Sequence, residues 1–206
     1  MRTLLLALLL CSPPLAVWAQ PAPPMSPRFR LAIGPTVAGF GITRALGGDG
    51  HFDDATIRWA IGGAARLEYR LMSFLALGGE LEYVRLYGND PNDVRGFSGL
   101  SNVFRAAFTL NLMAPLARGV VELGGRLNVG LSTLWQAQQT YTGVGLHLSV
   151  CATLLVWVSR SIGLHLDIGS RNEFVFGVAG GDDGALNDVF VYYTALEIRL
   201  GLTARF

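Results

Sequence analysis

The C-terminal segment of the chain alternates strictly between two kinds of residue. One face of the extended segment carries Tyr192, Thr194, Leu196, Ile198, Leu200, Leu202, Ala204 and Phe206. The opposite face includes Glu197 and Arg199. Because successive side chains of a strand point to opposite faces, this pattern separates aliphatic residues from ions. Such a strand fits a wall between lipid and a polar interior, and it does not fit the centre of a soluble core.

The composition agrees with a membrane wall built from strands. Hydrophobic residues make up 51% of the 206 residues. Past the N-terminus there is no run of about 18 apolar residues, which a helical span requires. A β-barrel membrane protein gives this combination because alternation dilutes its apolar residues. The net charge of +1 provides no electrostatic footprint for nucleic acid.

The N-terminal residues have the pattern of an export signal. Arg2 supplies a positive charge, Leu4 to Leu10 form a short apolar stretch, and Ala19 ends a small-residue cleavage site. Cleavage there leaves Cys151 as the one cysteine of the mature chain, so we expect no internal disulfide. The predicted organisation is a secretory signal peptide at 1–19, a flexible Pro-rich mature N-terminus at 20–28 and a β-barrel at 29–206.

Segments with a period of two predict eight strands. They are Phe29–Ile42, Ile57–Leu71, Phe74–Tyr87, Asn102–Met113, Val120–Trp135, Tyr141–Trp157, Ile162–Arg171 and Phe190–Phe206. Short connections at 72–73, 114–119 and 158–161 alternate with long ones at 43–56, 88–101, 136–140 and 172–189. This alternation is typical of an all-β, eight-stranded antiparallel up-and-down transmembrane β-barrel with tight periplasmic turns. An even number of strands places both termini on the periplasmic side.

Aromatic residues mark the two edges of the predicted apolar band. Trp59 and Tyr69 lie on the same face of the second strand, ten residues apart. At roughly 3.3 Å per residue and a tilt of roughly 40°, this separation spans about 25 Å, the height of the band. We expect a periplasmic girdle of Phe29, Tyr69 and Phe206, and an outer girdle of Trp59, Tyr83, Phe104, Trp135 and Tyr192.

The residues that point away from lipid in this register are charged, with both signs present. The predicted lumen network comprises Arg58, Arg66, Glu68, Glu80, Glu82, Arg105, Glu122, Arg126, His165, Asp167, Arg171, Glu197 and Arg199, and Arg70 and His147 point the same way. Burial of an ion costs several kcal/mol unless it is paired. We therefore expect Glu80, Glu82, Glu122 and Glu197 to pair across strands with Arg66, Arg105, Arg126 and Arg199.

The chain resembles the small eight-stranded outer-membrane barrels, such as the OmpA membrane domain and the OmpX and OmpW families. The sharpest local match is Arg199–Phe206, which is similar to the C-terminal signal that the outer-membrane assembly machinery reads, with Ala204 where a larger hydrophobic residue is usual. The resemblance implies a monomer in the bacterial outer membrane. Its partners would be outer-membrane lipid, lipopolysaccharide and the assembly machinery through Phe206. No cofactor and no nucleic acid are expected.

One pair of residues resembles an enzyme site. Some eight-stranded outer-membrane barrels are lipid A deacylases that use a His and a Ser two positions apart on one strand, and His147 and Ser149 have this spacing. In the predicted register both side chains point into the lumen, and an orienting acid would come from Asp167 or Glu122. Ordinary lumen polarity is the favoured interpretation of the pair.

Two groups of residues are weak candidates for metal ligands. His165 and Asp167 share the lumen face of one strand and would need His147 to complete a site. Acidic residues of the predicted outer loops offer oxygen ligands for Ca²⁺ or Mg²⁺. These are Asp49, Asp53, Asp54, Asp182 and Asp183. Turn chemistry accounts for much of their distribution, so no metal is predicted.

Three functions follow from these patterns, in order of preference. The first is a structural or surface role for a barrel with a largely plugged lumen and acidic outer loops. The second is a narrow channel for ions or small solutes. The third is a lipid A-modifying enzyme at His147 and Ser149.

Overall fold

The computed structural model describes residues 28–46, 52–88, 101–136, 142–180 and 186–206, and these form one closed antiparallel barrel. The eight strands are β1 (Phe29–Leu46), β2 (Phe52–Arg70), β3 (Leu75–Gly88), β4 (Ser101–Leu116), β5 (Val121–Gln136), β6 (Thr142–Trp157), β7 (Ile162–Gly180) and β8 (Leu186–Arg205). Each strand pairs with its neighbours in sequence, and β8 pairs with β1. The predicted fold class is therefore confirmed. No helix within the described ranges is long and apolar enough to cross a membrane.

Side chains alternate across the wall, as the period of two requires. Along β6, every second residue from Gly143 to Trp157 is buried, while almost all the residues between them are exposed. The buried positions point into the barrel because a closed sheet has only an inside and an outside. Interior polar groups and exterior aliphatic groups are consequently sorted by sequence parity alone.

The three short connections lie at one end of the barrel, which we call the turn end. They comprise residues 71–74, a 3₁₀ turn at Ala117–Gly119 with the following Val120, and residues 158–161. The start of β1 meets the end of the chain at the same place, where Phe29 N donates to Phe206 O at 3.1 Å and Phe206 N donates to Phe29 O at 3.0 Å. We call the opposite end of the barrel the far end.

Two of the predicted long connections were too long. β7 continues to Gly180 and β8 begins at Leu186, whereas residues 172–189 were predicted to be a connection. β2 begins at Phe52, where it pairs with Leu46 of β1, although the connection was predicted to run to 56. Gly, Asn and Asp residues suggested turns in these segments. Pairing with a neighbouring strand overrides such local preferences, since each residue gains ladder hydrogen bonds.

Barrel closure depends on glycines at the β1–β8 seam. The ladder runs from Ile33–Leu202 to Thr36–Arg199 in one register, so Gly34 lies opposite Gly201 between them. A Cβ built on Gly34 would lie 2.6 Å from Gly201 Cα. Real Cβ atoms do not approach a backbone this closely, so only glycine fits here. Pro35, which has no N–H to donate, occupies the adjacent gap in the ladder.

Candidate functional site

The interior of the barrel contains equal numbers of described arginines and carboxylates. Seven of each line it: Arg30, Arg66, Arg70, Arg105, Arg126, Arg171 and Arg199, together with Glu68, Glu80, Glu82, Glu122, Asp167, Glu173 and Glu197. All are buried except Arg70, which is partly exposed. Burial at this scale is tolerable because each ion has a partner of opposite sign.

A small group of charges surrounds Glu122 at the turn end. Arg30 Nη2 lies 2.5 Å from the Glu122 carboxylate and Arg70 Nη2 lies 2.9 Å from it. Trp157 Nε1 donates to the same carboxylate at 2.9 Å. The guanidinium of Arg30 also stands 5.5 Å from the centroid of the Trp157 ring, within cation–π range. We call Arg30, Arg70, Glu122 and Trp157 the turn-end cluster.

The other interior charges form one connected network through the middle of the barrel. Arg66 joins its first part, with Nε at 2.8 Å from Glu68 Oε1, and Nη1 at 3.7 Å from Glu80 and 3.4 Å from Asp167. Asp167 also accepts from Thr153 Oγ1 at 2.7 Å and from Arg126 Nη1. Asp167 therefore links β7 to β2, β5 and β6.

Glu82 is the principal acceptor of the second part of this network. Its carboxylate lies 2.9 Å from Arg105 Nη1, 2.7 Å from Arg171 Nη2 and 3.1 Å from Arg199 Nη2. Arg171 in turn reaches Glu197 at 2.9 Å. Three guanidinium groups on three strands thus converge on one carboxylate of β3. We call these eleven charged residues the central network; they are Arg66, Glu68, Glu80, Glu82, Arg105, Arg126, Asp167, Arg171, Glu173, Glu197 and Arg199.

An apolar layer lies between the central network and the far end. On β3 the inward residues that follow Glu82 are Val84 and Leu86, and on β7 Val175 follows Glu173. The layer consists of Ala38, Ala60, Val84, Leu86, Val103, Leu134, Val175, Val191, Tyr193 and Ala195. This layer was not predicted from the sequence. An ion that crossed the lumen would have to pass this layer, in which no described member carries a charge.

The sequence-predicted lumen residues lie inside the barrel wherever their side chains are described. Every member of that set is buried except Arg58, whose side chain falls outside the described residues. The ion-pair partners predicted for Glu122 were wrong. Glu122 pairs with Arg30 and Arg70 of β1 and β2, and not with Arg66, Arg105, Arg126 or Arg199. Alternation along a strand gives the face on which a residue lies. Its height relative to a residue of another strand depends on the register of every strand between the two.

Glu173 was missed because the seventh strand was predicted to end at Arg171. It is fully buried, receives a bond from Arg105 Nε, and lies 3.0 Å from His147 Nδ1. The alternation in fact continues beyond Arg171, with Phe174 and Phe176 outward and Val175 inward. This continued alternation was the signal in the sequence for the longer strand.

His147 and Ser149 do not form a hydrolytic pair in this arrangement. The acid beside His147 is Glu173, not Asp167 or Glu122. Ser149 Oγ accepts from Asn128 Nδ2 at 3.0 Å, and no described group is bonded to His147 Nε2. Both residues point into the barrel and are buried. An acyl chain in the surrounding lipid therefore cannot reach the serine oxygen.

Ser149→Ala provides a test of this geometry. We expect the variant to unfold with a free energy lower by about 1 kcal/mol, because one buried hydrogen bond is lost. Release of acyl chains from lipopolysaccharide should be the same for the variant and the wild-type barrel. Hydrolysis by the wild type that disappears in the variant would contradict the assignment of Ser149 to interior packing.

The structure does not bring the candidate metal ligands together. His147 lies opposite Glu173, whereas His165 lies opposite Leu155, eight residues along β6, or roughly 26 Å. Asp53 and Asp54 belong to β2 and not to a loop. Asp49, Asp182 and Asp183 lie outside the described residues. Among the residues that the structure describes, no group of three His, Cys, Asp or Glu side chains could hold a metal ion.

The predicted girdle aromatics lie at the two ends of the barrel. At the turn end, the Phe29 ring lies 5.0 Å from Tyr69 and 6.1 Å from Phe206, measured between centroids. At the far end, Trp59 stacks on Tyr87 at 4.2 Å, and other contacts join Tyr83 to Trp135 and Tyr192 to Phe174. Phe104 is exposed on β4. Tyr87 and Phe174 were not among the predicted girdle residues.

The outer surface between these two aromatic girdles is apolar. Exposed side chains such as Leu67, Leu81, Phe108, Leu131, Leu146 and Leu200 extend around the whole wall. Soluble monomers rarely expose a contiguous apolar surface larger than a few hundred Å². A continuous apolar wall around a charged interior requires lipid outside.

Solved structures with a similar fold are outer-membrane proteins. The outer membrane protein OprG from Pseudomonas aeruginosa superposes with a TM-score of 0.65, covering 88% of this chain and 96% of its own, at 10% identity. The outer membrane protein AlkL, solved in lipid bilayers by solid-state NMR, gives 0.50 over 91% and 94%, at 14% identity. This chain has the fold of the small outer-membrane β-barrels. The predicted resemblance and the predicted bacterial outer-membrane location are thereby confirmed.

No protein-family model matches the sequence of this outer-membrane barrel, and a search of curated proteins finds no match. The agreement is thus one of fold without closely related sequence. Alternating apolar residues can be exchanged freely as long as the period of two is kept, since lipid accepts any of them.

Proposed function

We propose that the chain is an outer-membrane barrel with a sealed lumen, whose role is structural and whose far-end loops are presented to the exterior. The observation that carries this proposal is the filling of the described interior. Seven arginines pair with seven carboxylates, and an apolar layer follows. An eight-stranded barrel has an interior just wide enough for side chains to fill.

Orientation follows from the lengths of the connections. Barrels of this fold place short turns toward the periplasm and longer loops toward the exterior. The turn end would then face the periplasm. Of the predicted loop acids, Asp53 and Asp54 lie in β2, and their side chains are not described. The acidic character of the outer loops therefore stays a prediction, as do lipopolysaccharide contact, a monomeric state and recognition of Phe206 by the assembly machinery.

Single-channel conductance of the refolded barrel in a planar bilayer tests the seal. We expect no discrete steps from the wild type, because the ions of the central network are paired with one another and fill the lumen. Arg126→Ala should either produce steps or lower the unfolding free energy. It removes the guanidinium that bonds Asp167 and lies 3.7 Å from Cys151 Sγ. A carboxylate is then left without that partner.

Arg85→Ala, on the outer face of β3, is the matched control; it should not change the conductance, and its effect on stability should stay within about 0.5 kcal/mol. Reproducible steps from folded wild-type protein would favour the alternative function, a narrow channel for ions or small solutes. If Arg126→Ala changed neither conductance nor stability, the paired interior would not be what seals the barrel.

A further inference from the structure

Among the described residues, the turn end of the barrel exposes arginine side chains and no Asp or Glu side chain. Arg28 and Arg160 are exposed and Arg205 is half-buried. The three turns at 71–74, 117–120 and 158–161 contain neither Asp nor Glu. Glu122 is nearby, but it is buried and already bonded within the turn-end cluster. The rim at this end therefore carries a local excess of positive charge.

Arg28 is held at the height of the aromatic girdle. Its Nη1 donates to the hydroxyl of Tyr69 at 2.9 Å. The Tyr69 ring makes an edge contact with Phe29, so both rings belong to the same belt. Tyr side chains of such belts lie at the level of the lipid headgroups. The guanidinium of Arg28 consequently lies where lipid phosphates are found.

Arg205 and Arg160 are joined to each other beside this position. Arg205 Nε donates to the carbonyl oxygen of Arg160 at 2.6 Å, and its guanidinium lies 4.0 Å from the centroid of Trp157. The first contact holds the turn that carries Arg160, and the second places the Arg205 guanidinium on the lumen side, against the turn-end cluster. Among the described residues, Arg28, Arg160 and Arg205 make no ion pair.

Large apolar side chains are exposed in two of the turns and at the last residue of the chain. Met72 is 55% exposed, Val158 62% and Phe206 64%. Turns that extended into the periplasm would gain nothing from these side chains. Exposed apolar residues next to arginines are typical of protein segments that lie in the membrane interface. This observation is independent of the charge at the rim and points to the same surroundings.

We infer that Arg28 and Arg160 form a binding arc for the phosphate of an anionic glycerophospholipid in the leaflet at the turn end. Arg28 precedes β1 and Arg160 lies in the turn before β7, so only β8 separates the two residues around the rim. Arg205 of β8 bonds the turn that holds Arg160. Guanidinium groups bind phosphate through two parallel hydrogen bonds. The inference depends on the transmembrane placement of the barrel, and not on whether its lumen conducts.

Native mass spectrometry of the delipidated, refolded chain, titrated with phosphatidylglycerol or phosphatidylcholine, tests the arc. The wild type should bind the first phosphatidylglycerol more tightly than phosphatidylcholine. Arg28→Gln and Arg160→Gln should each weaken phosphatidylglycerol binding about fivefold. Arg28→Lys should retain part of the affinity. Added salt should reduce the preference, because these charges are exposed.

Arg85→Gln is the matched control, since this arginine lies near the far end, where its guanidinium is 5.9 Å from the Tyr87 ring. Each variant is first shown to be folded by its heat-modifiable mobility on a gel. Equal affinity of the wild type for the two lipids would overturn the inference. An equal loss in Arg85→Gln would overturn it too, as would arginine-dependent binding to purified peptidoglycan without a preference for phosphatidylglycerol.

Discussion

Replacement of Arg171 by methionine is expected to lower the free energy of unfolding by about 3–5 kcal/mol. Arg171 is fully buried, and its Nη2 lies 2.7 Å from Glu82 and 2.9 Å from Glu197. Methionine fills much of the same volume, so the loss arises mainly from charge. Two carboxylates lose a shared partner in an interior that side chains fill. Urea unfolding of the barrel in lipid vesicles, followed by tryptophan fluorescence, measures the change.

The matched control for this charge removal is Arg85→Met on the outer face of β3. Its effect should stay within about 0.5 kcal/mol. Addition of Glu82→Gln to Arg171→Met should recover part of the lost stability, because the two residues share one network. An unfolding midpoint for Arg171→Met equal to that of the wild type would mean that the interior is hydrated enough to screen the charges.

Gly201→Ala is expected to destabilise the barrel by about 1–3 kcal/mol, since it overfills the β1–β8 seam. A Cβ at this position would lie 2.6 Å from His165 Cε1 and 2.9 Å from Gly34 Cα. The His165 side chain could move aside, but the backbone of β1 could not do so without opening the ladder. Loss of heat-modifiable mobility on a gel, together with the urea midpoint, reports on this closure.

Gly63→Ala is the control for the seam. Gly63 faces lipid, and a Cβ there would meet nothing nearer than Gly34 O at 3.7 Å. We expect this change to be neutral or mildly stabilising, because alanine restricts the unfolded chain. Two adjacent glycines of β5 allow the same comparison between a crowded and an open position. A Cβ on Gly124 would lie 2.8 Å from Met113 Cα, whereas a Cβ on Gly125 would lie 3.7 Å from Cys151 O. Equal effects at Gly63 and Gly201 would contradict the steric explanation.

The lumen residues could be predicted from the sequence because the face of a strand residue is a local property. Glu80 and Glu82 alternate with Leu81, and Arg199 lies between Ile198 and Leu200. A period of two assigns each of them to one side of the wall without reference to any other strand. The same reasoning identified the aromatic residues at both edges of the apolar band.

The partners of those residues could not be predicted, because they depend on the register of the whole barrel. Glu122 is bonded by Arg30 and Arg70, which lie 92 and 52 residues away in sequence. Glu82 and Arg171 meet across the lumen from β3 and β7. Such contacts follow from strand tilt and stagger, which link all eight strands and are not encoded in any one of them.

The sequence by itself determined the number and order of strands, the two faces of the wall and the membrane as its surroundings, because each of these follows from local alternation. Only the tertiary structure decided which ions meet and that an apolar layer separates them from the far end. It also decided that Gly34 and Gly201 must approach closely. These features arise where distant strands come together, and the physical reason is closure: the last strand must fit against the first.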